Sequence, residues 1–351
     1  MSDERNGASL GRGIPVGLTT VLSATLALGT AACTSEETPT EPGSVGNPAP
    51  ATPAFALASN TWTAKPPRPG IPLFGSFAGA TTNSAGQSVV YVFGGTDGEG
   101  GSGFGTSAYN VSTNTWTQKG PDSRVYVFHS NGVGKIGKIG SRLYFSGGYD
   151  YGTGTLTTAT QVWAYDPAAD RLIRKADMPK ATAEGVTGVI DGKLYVLPGV
   201  CSGDLYPDPR YCAQEPIRRL FRYDPATNTW IGRQSSPHFH RDGAAGVING
   251  KLYVAGGFVN GSFDPTAALD VYDGATNTWA TRAAMPAAGA AIGAVLQGKL
   301  FVIVSSGTGL KAYAYDALVR VTLNGRAALL AVGGTHGANG DIANDTELYT
   351  P

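Results

Sequence analysis

Asn-Thr-Trp recurs four times along the chain, at Asn60-Thr61-Trp62, Asn114-Thr115-Trp116, Asn228-Thr229-Trp230 and Asn277-Thr278-Trp279. A degenerate copy, Asp170-Arg171-Leu172, stands between the second and third. The final residues of these five segments are 54, 56, 58 and 49 positions apart. A period of about 50 residues constrains the fold more than any other feature. A unit of that size cannot bury its apolar face alone, so copies must pack side by side. Other markers keep the same step. Gly-Gly pairs follow apolar runs at Gly94-Gly95, Gly147-Gly148, Gly256-Gly257 and Gly333-Gly334, with weaker copies at Pro198-Gly199 and Val304-Ser305. An aromatic then opens a turn at Tyr109-Asn110, Tyr165-Asp166-Pro167, Tyr223-Asp224-Pro225, Tyr272-Asp273 and Tyr315-Asp316.

Each marker has a physical use. Runs such as Lys193-Leu194-Tyr195-Val196 and Lys251-Leu252-Tyr253-Val254 are rich in strand formers. Asp191-Gly192 and Asn249-Gly250 just ahead of them are two-residue hairpin signals. Asp-Pro presets a chain reversal, and the recurring Trp offers a flat surface for packing one unit on the next. The 50 glycines fit a turn-rich chain rather than a disordered one, because 42% of residues are hydrophobic and 16 are Tyr.

In this order the markers resemble the kelch motif, over residues 60–351: apolar strand, Gly-Gly, variable loop, Tyr-Asp-Pro, turn, Trp. The resemblance implies an all-β, six-bladed β-propeller, one blade for each Gly-Gly-type marker. Tyr349-Thr350-Pro351 ends the chain where a Trp strand would follow, and Asn60-Thr61-Trp62 supplies that strand. The ring is therefore expected to close by pairing the N-terminal strand with the C-terminal blade. The last blades are expected to be irregular. Only 29 residues separate the markers at Val304 and Gly333, and no Trp follows Tyr315-Asp316.

The N-terminus reads as an export signal over residues 1–32. Arg5 and Arg12 precede an uncharged stretch from Ile14 to Gly29, and Thr30-Ala31-Ala32-Cys33 follows. That stretch is short for a membrane span. Small residues before Cys33 resemble a bacterial lipobox, which implies lipidation at Cys33. Thr30 departs from the usual Leu, and ordinary signal cleavage is the other reading. Residues 33–57, rich in Pro, Thr and Glu, suit a solvated linker ahead of the propeller at 58–351. These features place the protein in the cell envelope, lipid-anchored, with a periplasmic or secreted location as the alternative. In an exported chain, Cys201 and Cys212 read as a disulfide closing a short polar insertion.

In such a blade the first two strands (a, b) and the last two (c, d) are joined by short turns on one face. The b–c and d–a connections fall on the other and are longer: 96–108, 149–160, 200–217, 258–269 and 335–345. Function concentrates on loops held by a rigid scaffold, so the candidate site lies on that second face. Ser236-Pro237-His238-Phe239-His240-Arg241-Asp242 leads into the inner strand of blade four, and Arg124 and Arg68 lead into others. His238, His240, Arg241, Arg124 and Arg68 are the ligand-binding candidates. Glu184 and Arg241 are the candidates for any acid–base chemistry, since an Arg with a carboxylate suits a sugar acid. The bland reading gives the arginines to loop carbonyls and the two histidines to a solvent-exposed rim. Asp341 to Asp345 reads as loop chemistry rather than a calcium site, and no metal and no cofactor are implied.

Lys+Arg and Asp+Glu number 26 each, so nothing marks the chain for nucleic acid or for a membrane surface beyond its N-terminal lipid. The expected role is a monomeric binding module for a glycan or an envelope protein, not an enzyme. The alternative is a sugar-acid mutarotase similar to N-acetylneuraminate epimerase. A copper oxidase of the galactose-oxidase kind is a third reading, carried by fold analogy alone.

Overall fold

The computed structural model describes residues 61–70, 75–95, 105–120, 136–150, 157–200, 218–259, 264–305, 317–336 and 341–351. These residues form an all-β propeller. After β1 (Thr61–Lys65), the strands β2 (Phe77–Thr82), β3 (Ser88–Phe93), β4 (Thr106–Asn110) and β5 (Thr115–Gln118) make an antiparallel sheet in that order. The second sheet runs β6 (Gly137–Ile139), β7 (Arg142–Ser146), β10 (Val162–Asp166), β11 (Arg171–Arg174). A small ribbon, β8 (Tyr149–Asp150) with β9 (Thr157–Thr158), lies within its b–c connection. The third sheet holds β12 (Val186–Ile190), β13 (Lys193–Leu197), β14 (Arg219–Asp224) and β15 (Thr229–Ser235). The fourth holds β16 (Ala244–Ile248), β17 (Lys251–Ala255), β18 (Leu269–Asp273) and β19 (Thr278–Arg282). Next come β20 (Ala290–Leu296) and β21 (Lys299–Ser305), a two-stranded sheet. The last sheet joins β22 (Ala317–Leu323), β23 (Arg326–His336) and β24 (Asp341–Thr350) to β1.

Five four-stranded blades are therefore present among the described residues, which corrects the expected six. Asn324-Gly325 makes the hairpin between β22 and β23. Residues 317–323, which follow Tyr315-Asp316, are thus the inner strand of the last sheet. The expected loop 335–345 is also largely strand, in β23 and β24. β1 pairs with β24 in register, Trp62 opposite Tyr349, and their rings lie 5.2 Å apart.

Inner strands of successive sheets are neighbours, β6 beside β12, β12 beside β16, β16 beside β20, and β22 beside both β20 and β2. They approach closely because a glycine sits mid-strand. A Cβ on Gly188 would fall 2.6 Å from Leu252, and one on Gly246 would fall 2.4 Å from Val295. Apolar layers fill the gaps between sheets. Tyr195 and Leu197 of the third blade pack with Leu252, Val254 and Tyr272 of the fourth.

The Asn-Thr-Trp triplets act as latches between blades. Asn114, Asn228 and Asn277 sit at φ of 54 to 58°, a region Asn tolerates better than most residues. Each accepts a hydrogen bond from its blade's Tyr hydroxyl, at 2.5 to 2.8 Å. The indole N–H of Trp116, Trp230 and Trp279 donates to the preceding blade, at Pro66, Ala176 and Gln234. The backbone N–H groups of Ala176 and Gln234 answer by donating to Asn228 and Asn277. Asp170 replaces Asn in the degenerate copy and keeps both bonds, to Tyr165 and to the Gly120 N–H.

Candidate functional site

The two faces differ as the repeat implies. Tight reversals at 140–141, 191–192, 249–250, 297–298 and 324–325 join inner strand pairs on one face. The connections on the other face are longer and differ in every blade. Residues 236–243, between β15 and β16, form the most elaborate polar arrangement described on that face.

Its centre is Asp270, near the start of β18 and fully buried. Ser236 Oγ donates to it at 3.1 Å, Thr281 Oγ1 at 2.8 Å and the His238 backbone N–H at 3.1 Å. His240 Nε2 lies 3.1 Å away, and His238 Nδ1 is 3.0 and 3.1 Å from its two oxygens. Burial alone would raise the Asp270 pKa. Hydrogen bonds from His240, Thr281 and His238 outweigh it and hold the carboxyl well below the usual carboxylate range. His240 is itself fully buried, and its Nδ1 faces the Gly256 carbonyl at 2.9 Å. Both of its partners are acceptors, so whichever ring nitrogen carries a proton has an oxygen to receive it. His238 differs, because its side chain is 46% exposed. The exposed-rim reading therefore holds for His238 and is corrected for His240. The segment is not strand, and the two rings converge because both reach for one carboxylate.

Blade one repeats the arrangement in another chemistry. Ser107 occupies the place of Asp270, two residues before the blade's Tyr. Arg68 occupies that of Ser236, six residues after the Trp. Arg68 is buried and donates to Ser76 Oγ at 3.0 Å, to Ser107 Oγ at 3.4 Å and to the Gly94 carbonyl. Ser107 donates in turn to Gln118. For Arg68 the loop-carbonyl reading describes the geometry.

Glu184 and Arg241 are brought together as a buried ion pair linking blades three and four, each side chain 2% exposed. The backbone explains the approach. Glu184 and Asp242 both adopt φ near 55° and are equivalent in their blades. That conformation tips each carbonyl toward the next blade: the Asp242 N–H donates to Glu184 O, and the Ala291 N–H to Asp242 O, both at 2.8 Å. Gly257 makes room, since a Cβ there would lie 2.3 Å from the Arg241 carbonyl.

Beside His238 stands a cation that sequence reasoning missed. Arg218 donates to the Pro237 carbonyl, and its guanidinium lies 5.2 Å from the Phe239 ring centroid. Asp270 was missed too, because it reads as an ordinary residue ahead of Val271-Tyr272-Asp273. The available signal was a carboxylate where other blades carry Ser107, Trp163 and Phe221. Arg124, Cys33, Cys201 and Cys212 lie outside the described residues. Among the described residues no group of three His, Cys, Asp or Glu is placed to hold a metal, and no helix is long and apolar enough to cross a membrane.

Comparison with known proteins agrees with the fold. The Kelch motif model matches residues 182–231 and 241–286, the third and fourth blades. The Kelch-like protein terF of Aspergillus terreus is 29% identical over 152 residues, which are 42% of this chain and 31% of that protein. Kelch-like protein 31 of Homo sapiens is 35% identical over 81 residues, 23% of this chain and 12% of its own. The chain thus spans less than a third of the length of these curated relatives. The solved structure of YjhT superposes with a TM-score of 0.60 at 17% identity, covering 82% of this chain and 97% of that one.

Proposed function

Since the chain is a kelch-repeat β-propeller, we propose that it works as a binding module. Its d–a and b–c connections would be presented to a glycan or protein partner at the cell envelope. One observation carries this reading: short turns join the inner strand pairs on one face, whereas the other differs from blade to blade and exposes His238, flanked by residues that Arg218 contacts. Binding concentrates on varied loops above a rigid frame. The N-terminal leader and Cys33 make the module exported and lipid-anchored. We further infer that the ring is closed. The β1–β24 pairing and the proximity of β22 to β2 support closure.

Screening the purified propeller against envelope glycans and solubilised envelope proteins tests the reading. Expected is a ligand whose binding is abolished by replacing 256–268 with a short turn and unaffected by changing the Asn249-Gly250 reversal. A ligand sensitive only to the second change would place recognition on the wrong face.

A second reading, sugar-acid anomer exchange, draws support from the Glu184–Arg241 juxtaposition. Their shared burial favours a link between blades over contact with substrate. NMR exchange rates of a sugar acid, accelerated by the wild type and not by Glu184→Gln, would reverse that order.

A further inference from the structure

Each four-stranded blade seats its second strand between two neighbours: β3 between β2 and β4, β7 between β6 and β10, β13 between β12 and β14, β17 between β16 and β18, β23 between β22 and β24. Among the described residues β21 pairs with β20 alone. Burial follows the pairing. Leu143, Leu194 and Leu252, each second in its strand, are fully buried, whereas Leu300 in the same place is half-buried, as are residues 301–304. The chain that follows is too short to line that edge. Ser305 ends β21 opposite Ala290, the first residue of β20, and Ala317 begins β22. Residues 306–316 therefore start and finish on the loop face. Running along the seven residues of β21 and back takes about fourteen residues at about 3.4 Å each, and only eleven are present.

The chain that precedes β1 ends beside the same edge. Trp62 shares one apolar layer with Phe301 and Ile303. Tyr349 touches both aromatics, its ring 5.2 Å from that of Trp62 and 5.9 Å from that of Phe301. Thr61 starts β1 opposite Thr350, on the face of the tight turns, where Lys299 starts β21. Just ahead of it, Ala54-Phe55-Ala56-Leu57-Ala58 alternates small and large apolar residues with the period of a strand and carries no charge. Pro53 bounds this run, since proline cannot donate to a ladder. Packed sheets stand about 10 Å apart, and the three Cα steps from Ala58 through Ser59 and Asn60 to Thr61 cover about 11 Å.

We propose that residues 54–58 add to the outer edge of β21 as an antiparallel strand, with Ala58 opposite Lys299. The direction follows from the chain: β21 runs toward the loop face, and the segment must finish at the tight turns. In that register Leu57 and Phe55 lie beside Leu300 and Val302, which face the fourth blade near Ala255 and Leu269. The small Ala56 and Ala54 lie beside Phe301 and Ile303. The segment outcompetes a second copy of the chain, because linkage raises its local concentration to about the millimolar range. Docking ties the N-terminal tether to the propeller rim, whatever the loop face binds.

Hydrogen–deuterium exchange on the intact chain, at low and high protein concentration, tests this. Residues 54–58 and 300–304 should both exchange slowly, at rates independent of concentration. Leu57→Asp should speed both by about tenfold or more, the factor that matches loss of one buried Leu side chain, and leave β13 and β17 unchanged. Mild oxidation should cross-link Ala58→Cys to Lys299→Cys, as mapped by peptide mass spectrometry, and should not cross-link Ala58→Cys to Lys251→Cys. Protection of 300–304 that survives Leu57→Asp, or that fades on dilution, assigns the edge to another segment or to a second copy and overturns the proposal. Fast exchange of 300–304 in the wild type overturns it as well.

Discussion

Replacing Asp270 with Asn keeps the shape of the side chain and removes its charge. Five donor groups converge on the two carboxylate oxygens, from Ser236, Thr281, His240 and both the ring and backbone of His238. An amide oxygen accepts about two of these, and the new NH₂ group turns further donors toward donors. About three hydrogen bonds are lost at about 1 kcal/mol each. The contact with His240 also loses its charged acceptor. For a domain of this size, about 2 °C of Tm per kcal/mol gives a loss of about 6 °C, readable by calorimetry at neutral pH. The pH dependence has a definite sign. The folded pKa of Asp270 lies below its unfolded value of about 3.9, so its stabilisation is full above that value and lost as pH falls. The gap between wild type and Asp270→Asn should be flat from neutral pH to about pH 5 and narrow below about pH 4. A loss under about 1 kcal/mol at neutral pH, well short of the expected total of about 3 kcal/mol, refutes the reasoning. So does a gap that stays constant into acid.

Three further outcomes are expected. Gly257→Ala should cost more than about 3 kcal/mol, because φ is 97° and the new Cβ meets a backbone oxygen; Gly250→Ala, at φ 73° with nothing within 4 Å, should cost only about 1 kcal/mol. Denaturant melts of the pair would expose the error if the two changes cost the same. Trp62→Ala removes a half-buried indole from Tyr349 and should cost about 2 kcal/mol, less than a fully buried Trp; an unchanged Tm would mean that β1 adds nothing to the last sheet. Burial pushes the phenols of Tyr109 and Tyr223 up to about 12. Their folded pKa values exceed the unfolded value of about 10, so stability should hold below about pH 10 and fall toward pH 12. Phenolate absorbance that saturates near pH 10 in the folded protein would contradict this.

The blades were legible in the sequence because their latches draw on few residue types, Asn or Asp at the turn and in most copies Trp after it. Asn277 must tolerate a left-handed backbone while accepting from Tyr272, and Trp279 must reach Gln234 across the blade boundary. The period of these residues therefore reports geometry directly. The fifth and last sheets were harder to read. Residues 317–323 carry no such marker, and their hairpin, Asn324-Gly325, was overlooked beside the more obvious Tyr315-Asp316. The axial glycines were also overlooked, since Gly188 and Gly246 look like interruptions of a strand until the neighbouring blade is in view. For the site, Glu184 and Arg241 could be named from position but their burial could not, because it depends on the opposing blade. Asp270 illustrates the general difficulty. Its partners lie 11 to 34 residues away, and only folding shows that two histidines, a serine and a threonine share one carboxylate.

Hydrogen–deuterium exchange with and without the tightest-binding member of the glycan panel tests the placement of function most directly. Expected is slowed exchange over 236–243 and 256–268, with no change at 191–192, 249–250, 297–298 and 324–325. Protection confined to those tight turns, with the blade-four approach unchanged, would contradict it.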